Sequence, residues 1–376
     1  MGHHRQHALL PPHQPVQVHV LSQRYVKQHL INFFFFLYLL LSFTSFFYFC
    51  SPIPFCFQFV GAWEATKSYP LPLSEAQGAL FGNDFVLISG FTVKFNTLTT
   101  KVYALDVTNP TANWREMTPI PLAAGLTHGG FAKVGTNKLY ICGGYVGPHP
   151  GPATTACFLY EHDKANGSQW SVFPSLPAQR AGGALWYDKN RNSLTFTAGA
   201  SRPDPTRPIY TIDHDDTWEI KLSALGNGWI TRAKLPYEGN HVGFTTVLHN
   251  GIERHYIAGG QLGEDEYESN LDDLIEWKPS QNQFIRRENL LEPRGHFSSS
   301  NVPYKNCGFL IAGGAIDNSE RTDEVTYYDI GKDEWFIIGK MPGLLTTPVC
   351  VITNDNYFRC ETGFVNKQFS WRISIV

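Results

Sequence analysis

The sequence predicts an all-β fold: a ring of six four-stranded blades, a β-propeller, closed by an N-terminal strand and preceded by a hydrophobic leader helix. Three observations carry this expectation. First, an apolar strand ending in glycine recurs along the chain, written in full as LYICGG (139–144), HYIAGG (255–260) and FLIAGG (309–314). Second, an aromatic residue stands seven positions before a proline in unit after unit: Trp114 and Pro121, Trp170 and Pro177, Trp229 and Pro236, Trp335 and Pro342. Third, the last unit ends without its aromatic–proline pair, and Trp63 and Pro70, again seven apart, stand near the start of the body. A strand over 62–68 that completes the last blade would stitch the two ends together and remove the exposed edges of an open array.

The elements follow in register. The strand-ending glycines are Gly90, Gly144, Gly199, Gly260, Gly314 and Gly363, with successive gaps of 54, 55, 61, 54 and 49 residues. Gly143, Gly259 and Gly313 form the first members of the three Gly-Gly pairs. After each comes an alternating segment with the period of a half-buried strand: KVYALDV (101–107), CFLYEHD (157–163), DTWEIKL (216–222), DLIEWKP (273–279), EVTYYDI (324–330) and FSWRISI (369–375). Phe284 replaces tryptophan in one unit, where Leu291 occupies the proline position and Pro293 follows two later. Glycine suits the strand exit because it permits close backbone approach and left-handed dihedrals, so these residues are read as structural. None of them is followed by the Gly-Lys-Ser/Thr pattern of a phosphate loop.

The glycine pair after an apolar strand, the spaced tryptophan and the Pro-Arg-Gly-His turn at 293–296 resemble kelch repeats, the blade unit of kelch propellers and of the galactose oxidase propeller domain. The period of about 50 residues agrees. The resemblance covers residues 62–376 and departs from the pattern where Gly199 is followed by alanine, Gly90 preceded by serine and Gly363 by threonine. It implies a loop face, built from the fourth-to-first and second-to-third strand connections, that binds a protein or a glycan without catalysis. It also implies two alternatives: a carbohydrate-active enzyme, resembling sialic-acid mutarotases or galactose oxidase, and an intracellular kelch scaffold.

Composition separates the ends of the chain. Residues 1–62 carry three basic side chains (Arg5, Arg24, Lys27) and no acid, which leaves 27 basic against 33 acidic residues, a net charge of −6, over 63–376. A mildly acidic body without a basic stripe argues against a nucleic-acid partner. Residues 1–29 are rich in His, Gln and Pro and lack periodicity, so disorder is expected there. Residues 30–61 form a signal peptide or a signal-anchor segment around the uncharged run 31–49, long enough to span a membrane. Small residues at Val60-Gly61-Ala62 suit cleavage, and the unusual length of the run suits an anchor. Either reading places the propeller, 62–376, on the non-cytosolic side, secreted or anchored, with membrane contact only through 31–49 if the leader stays. Export fits a glycosylation sequon at Asn166 and two candidate disulfides, Cys350 with Cys360 and Cys142 with Cys157, each on adjacent strands.

Candidate ligand contacts fall on the loop face: His128, Arg180, His241, Arg294 and His296 in fourth-to-first turns, with Arg202, Arg207 and Glu264 in second-to-third loops. Arg180, Arg294 and Glu264 would suit a carboxylated sugar through guanidinium contacts. Three histidines at one repeat phase also raise a metal site. Their spacing contains no paired His motif, so they are read as turn residues bonding a neighbouring backbone, and no metal or cofactor is expected. The cysteine, tyrosine and histidine set of a copper radical enzyme cannot be placed on this face. The acidic runs Asp213–Asp216 and Asp272-Asp273 share a phase with Asp323-Glu324, which points to strand-start hydrogen bonding.

Overall fold

The computed structural model describes residues 59–93, 97–202, 210–264, 268–316, 320–361 and 370–376, all within one compact unit, Cys56–Val376. The expectations for 1–58, Gly363 and Arg207 lie outside the described residues. Six four-stranded antiparallel sheets follow one another along the chain. Blade 1 comprises Gln77–Phe81, Asp84–Ile88, Val102–Asp106 and Arg115–Met117, and blade 2 comprises Gly130–Val134, Lys138–Cys142, Cys157–Glu161 and Trp170–Phe173. Blade 3 runs over Ala184–Asp188, Ser193–Thr197, Thr217–Lys221 and Ile230–Thr231, and blade 4 over Gly243–His249, Ile252–Ala258, Leu274–Lys278 and Gln283–Arg286. Blade 5 contains Asn301–Tyr304, Gly308–Ala312, Glu324–Asp329 and Glu334–Lys340. In blade 6, Val349–Ile352, Tyr357–Glu361 and Ser370–Ile375 are joined by Phe59–Ala65, which begins three residues before the strand expected at 62–68. Phe59 lies opposite Ile375 and Ala65 opposite Trp371, with an irregularity between Val60 and Glu64.

The core sits between blades. Each sheet is apolar on both faces, so every neighbouring pair buries its own cluster. Ile88 and Val86 meet Leu139 and Ile141 between blades 1 and 2, and Cys142 and Tyr140 meet Phe196 and Leu194 between blades 2 and 3. Around the ring, Phe85 and Leu87 of blade 1 pack against Val349 and Val351 of blade 6. Each such side chain contributes about 1.5–3 kcal/mol on burial, which makes blade stacking the main source of stability.

Two rings of hydrogen bonds join the blades. On the outside, the indole N–H of each blade tryptophan donates to a carbonyl at or just past the end of the outer strand of the preceding blade: Trp114 to Lys67, Trp170 to Thr118, Trp229 to Pro174, Trp335 to Glu288 and Trp63 to Lys340, at 2.8–3.1 Å. Phe284 has no donor for this bond and packs on Trp277 at 4.5 Å instead.

On the inside, the strand-ending glycines are the clamp. Gly144 N–H donates to Arg180 O of the next blade at 2.7 Å, Gly260 to Arg294 O at 2.8 Å, and Gly314 to Leu345 O at 2.9 Å. The residue after each pair bridges its own inner turn, as Tyr145 does with Thr127 and Gln261 with Asn240. A Cβ on Gly143 would stand 2.3 Å from Arg180 O, and one on Gly260 (φ +103) 2.6 Å from Asn240 O. In blades 1 and 3, Ser89 (φ 55) and Ala198 (φ 62) hold the first clamp position in the left-handed region, which is why the glycine pattern weakens there.

Cys142–Cys157 joins strands two and three of blade 2, and Cys350–Cys360 joins strands one and two of blade 6; each pair is directly opposed in register. Asn166 is exposed in the turn before Trp170, its side-chain oxygen bonded to Thr118 Oγ1 at 2.7 Å. No helix among the described residues is long and apolar enough to cross a membrane.

Candidate functional site at the inner ring

Each inner turn enters the first strand through one residue nearest the axis, and five of these are left-handed: Glu75 (φ 54), His128 (φ 56), Gly182 (φ 69), His241 (φ 49) and His296 (φ 58). Four of them stand two residues before their first strand; at His296 a short 3-10 turn, Ser298–Ser300, intervenes. Left-handed backbone is unfavourable for a side-chain-bearing residue, and its persistence here marks a constraint on side-chain direction.

The side chains converge. Glu75 receives His128 Nε2 at 3.2 Å on one carboxylate oxygen and His296 Nδ1 at 3.0 Å on the other. The His241 ring lies between the other two, with centroids 4.4 Å from His128 and 4.2 Å from His296. One potential ligand atom from each of Glu75, His128, His241 and His296 lies within 4.8 Å of the others. Burial opposes charge on Glu75, but His128 and His296 outweigh it and bring its carboxyl down to about 2. Burial also opposes charge on His296, yet the Glu268 and Glu75 carboxylates hold its imidazole up at about 10. For His241, burial and the charges of His296, His128 and Arg202 all act in one direction and keep the ring well below the ordinary histidine range. A second group of possible ligands, Asp188, Glu253 and His255, lies between blades 3 and 4, where Glu253 accepts Lys189 N–H at 2.8 Å and His255 Nδ1 meets Thr246 Oγ1 at 2.9 Å.

A further layer backs the ring. Arg202 and Glu264 form a buried ion pair; the guanidinium lies 3.9 Å from the Tyr145 ring centre and donates to Gly151 O at 2.9 Å. Tyr145 OH donates to Glu264 at 2.6 Å, and the same carboxylate oxygen is 4.0 Å from His241 Nδ1.

Of the residues singled out in the sequence, the structure therefore brings together His128, His241, His296, Arg202 and Glu264. Arg180 and Arg294 stand apart. Arg180 donates to Asp216 at 2.6 Å and stacks over Trp218 at 4.9 Å, while Arg294 donates to Glu292 at 2.7 Å. Both are almost wholly buried, and their carbonyls are the acceptors of the glycine clamp. Asp213 bonds the next blade, accepting Gly263 N–H at 2.7 Å.

Sequence reasoning missed Glu75, Tyr145 and Glu268. For Glu75 a signal exists: it holds the same phase, two residues before the first strand, as His128 and His241. Tyr145 holds a repeat position, directly after the Gly143-Gly144 pair, but its partners Arg202 and Glu264, like Glu268, lie in second-to-third loops that have no periodicity.

Beyond the ring, the first strands line an axial cavity of about 490 Å³, to which the blades contribute Leu80, Lys133, Trp186, Thr246, Pro303 and Ile352. The ring residues precede these strands, so they stand at one end of the cavity, on the loop face.

No family model matches the chain. It is similar to Kelch-like protein 41b of Danio rerio, 22% identical over 224 residues that cover 59% of this chain and 33% of that protein. Kelch-like protein 41a of the same organism is 19% identical over 233 residues, 62% of this chain and 35% of the relative. The chain thus spans about a third of the length of the curated relatives it matches. Among solved structures, one described as the structure of YjhT superposes with a TM-score of 0.60 at 13% identity, covering 83% of this chain and 96% of the other.

Proposed function

From a chain that is a six-bladed kelch-repeat β-propeller, we propose a binding module that engages a protein or glycan through its loop face, without catalysing a reaction. Kelch propellers generally mediate protein interactions, and one observation directs that reading to a place. Large apolar side chains stand exposed on neighbouring loops of blades 3 and 4: Tyr210 (40%), Ile212 (41%) and Leu262 (39%). Ile212 and Leu262 flank the Asp213–Gly263 hydrogen bond, so they share one ledge beside the ring. Adjacent exposed apolar residues on connecting loops, carried by a rigid scaffold, are a binding feature. The carboxylated-sugar reading loses support because Arg180 and Arg294 are committed to their own ion pairs.

A photo-crosslinking residue placed at 212 or at 262 should capture the same partner in cells, and one at Ile337 on an outer strand should not. Loss of the adduct on deglycosylation would identify the ligand as a glycan. The double variant Ile212→Asp, Leu262→Asp should lower adduct yield at least tenfold with an unchanged melting midpoint; equal capture from position 337 would sink the proposal.

We also propose export, with the propeller on the non-cytosolic side. The Cys142–Cys157 and Cys350–Cys360 bonds suit an oxidising compartment, and Asn166 is exposed. Intact mass after secretory expression, with and without reduction and glycosidase, should show both disulfides and sugar at Asn166. A reduced, unglycosylated chain would return the protein to the cytosol.

A further inference from the structure

We propose that Glu75, His128, His241 and His296 form a mononuclear site for a divalent first-row transition cation, zinc being the reference case. The donor set is three imidazoles and one carboxylate, a combination that suits zinc and its neighbours and is too nitrogen-rich for calcium or magnesium. Its donors already lie within 4.8 Å of one another. Tetrahedral ligands at bond lengths of about 2.0–2.1 Å stand roughly 3.4 Å apart, so side-chain rotation of an ångström or so would complete the sphere.

The tautomer of His241 is set by its neighbour. The Asn240 side-chain nitrogen donates to Asp213 and, at 3.0 Å, to Gly263 O. Its oxygen therefore faces His241 Nδ1 and accepts that N–H, which leaves Nε2 with a lone pair. A ring nitrogen fixed in this way by an outer acceptor is the usual arrangement behind a metal ligand. His296 has a carboxylate on each side, Glu75 3.0 Å from Nδ1 and Glu268 3.8 Å from Nε2, so a cation bound there would displace a ring proton. His128 Nε2 faces the Glu75 carboxylate and its Nδ1 is buried without a hydrogen-bond partner, so a bound cation would take the place of the ring proton that faces Glu75.

Backbone placement agrees. The four ligands come from blades 1, 2, 4 and 5, each aimed by a left-handed turn residue. Blade 3 contributes Gly182 at this position, and a Cβ there would stand 2.6 Å from His241 N. Glycine thus lets the blade 4 turn come close enough for His241 to reach the others. In blade 6, Thr347 Oγ1 accepts Glu75 N–H at 3.1 Å and steadies the carboxylate ligand. His296 remains 18% exposed in its side chain, which leaves a route of entry from the loop face.

The test uses the full chain, stripped with chelator, loaded with zinc, dialysed and counted by elemental mass spectrometry. Residues 1–29 carry histidines that could also take up metal, so the readout is a difference. Wild type should retain one more zinc per chain than Glu75→Gln or His241→Ala, and zinc should raise the melting midpoint of wild type alone. Cobalt should give wild type the visible absorption of a low-coordinate site, absent from Glu75→Gln. Should His241→Ala fail to fold, Glu75→Gln, which keeps the side-chain shape, decides the matter. Equal zinc retention by wild type and folded Glu75→Gln, or no low-coordinate cobalt spectrum in wild type, overturns the proposal.

Discussion

The outer girdle and the inner ring occupy the same six-fold frame, yet they treat it differently. Outside, one residue type does one job: tryptophan in blades 1, 2, 3, 5 and 6 donates to the preceding blade. Inside, the equivalent turn positions read Glu75, His128, Gly182, His241 and His296, with Thr347 in the last blade. A stitch between blades needs the same geometry each time, so repetition is kept. Side chains that meet at an axis need complementary chemistry, and six identical ones would clash or repel. The broken symmetry is therefore where a site can be built.

The hardest way to break the inner ring is through its backbone. Gly260→Ala would force a Cβ to within 2.6 Å of Asn240 O at φ +103 and displace the turn that carries His241. A loss of about 3 kcal/mol is expected in urea unfolding, the sum of a left-handed penalty and a steric clash. A loss under about 0.5 kcal/mol would show that the clamp is slack.

The space between the rings is tested by acid. Burial first, and then Lys278, push the His255 imidazole down to about 3. With the folded value below the unfolded one, near 6.5, the unfolded state binds more protons between these limits. Stability is thus full above about pH 6.5 and declines as pH falls toward 3, by about 2 kcal/mol between pH 7 and pH 5. His255→Phe, which keeps an aromatic ring beside Trp186, should flatten that slope. An unchanged slope would assign the acid sensitivity elsewhere.

Smallest is the girdle bond. Trp335→Phe should cost about 1 kcal/mol, the usual worth of a partly buried hydrogen bond. In blade 4 the companion contact survives, Asn282 accepting Ala233 N–H at 3.1 Å as Asp333 accepts Glu288 N–H at 3.1 Å in blade 5. Phe284→Trp should then gain about 0.5–1 kcal/mol by restoring the missing donor. A loss instead would mean that the Trp277 contact has no room for an indole.

Much of the frame was legible before any coordinates. Alternation gave the third strands at 101–107, 157–163 and 216–222, observed as Val102–Asp106, Cys157–Glu161 and Thr217–Lys221. Such patterns are legible because each strand reports its own two faces locally. The opposed cysteines at 350 and 360 were legible for the same reason, a hairpin centred on Asp355.

By itself the sequence determined the blade period, the glycine exits and the tryptophan girdle, because each is a repeated local demand written at fixed spacing. Only the tertiary structure decided that Glu75 belongs with three histidines from other blades, and that Arg180 and Arg294 turn away into ion pairs. Those outcomes depend on where ring geometry carries residues up to 221 positions apart, such as Glu75 and His296, and on which way each turn points them. The repeat phase puts Glu75 at the turn position of the histidines, but no local period encodes which side chains meet there or which way Arg180 and Arg294 turn.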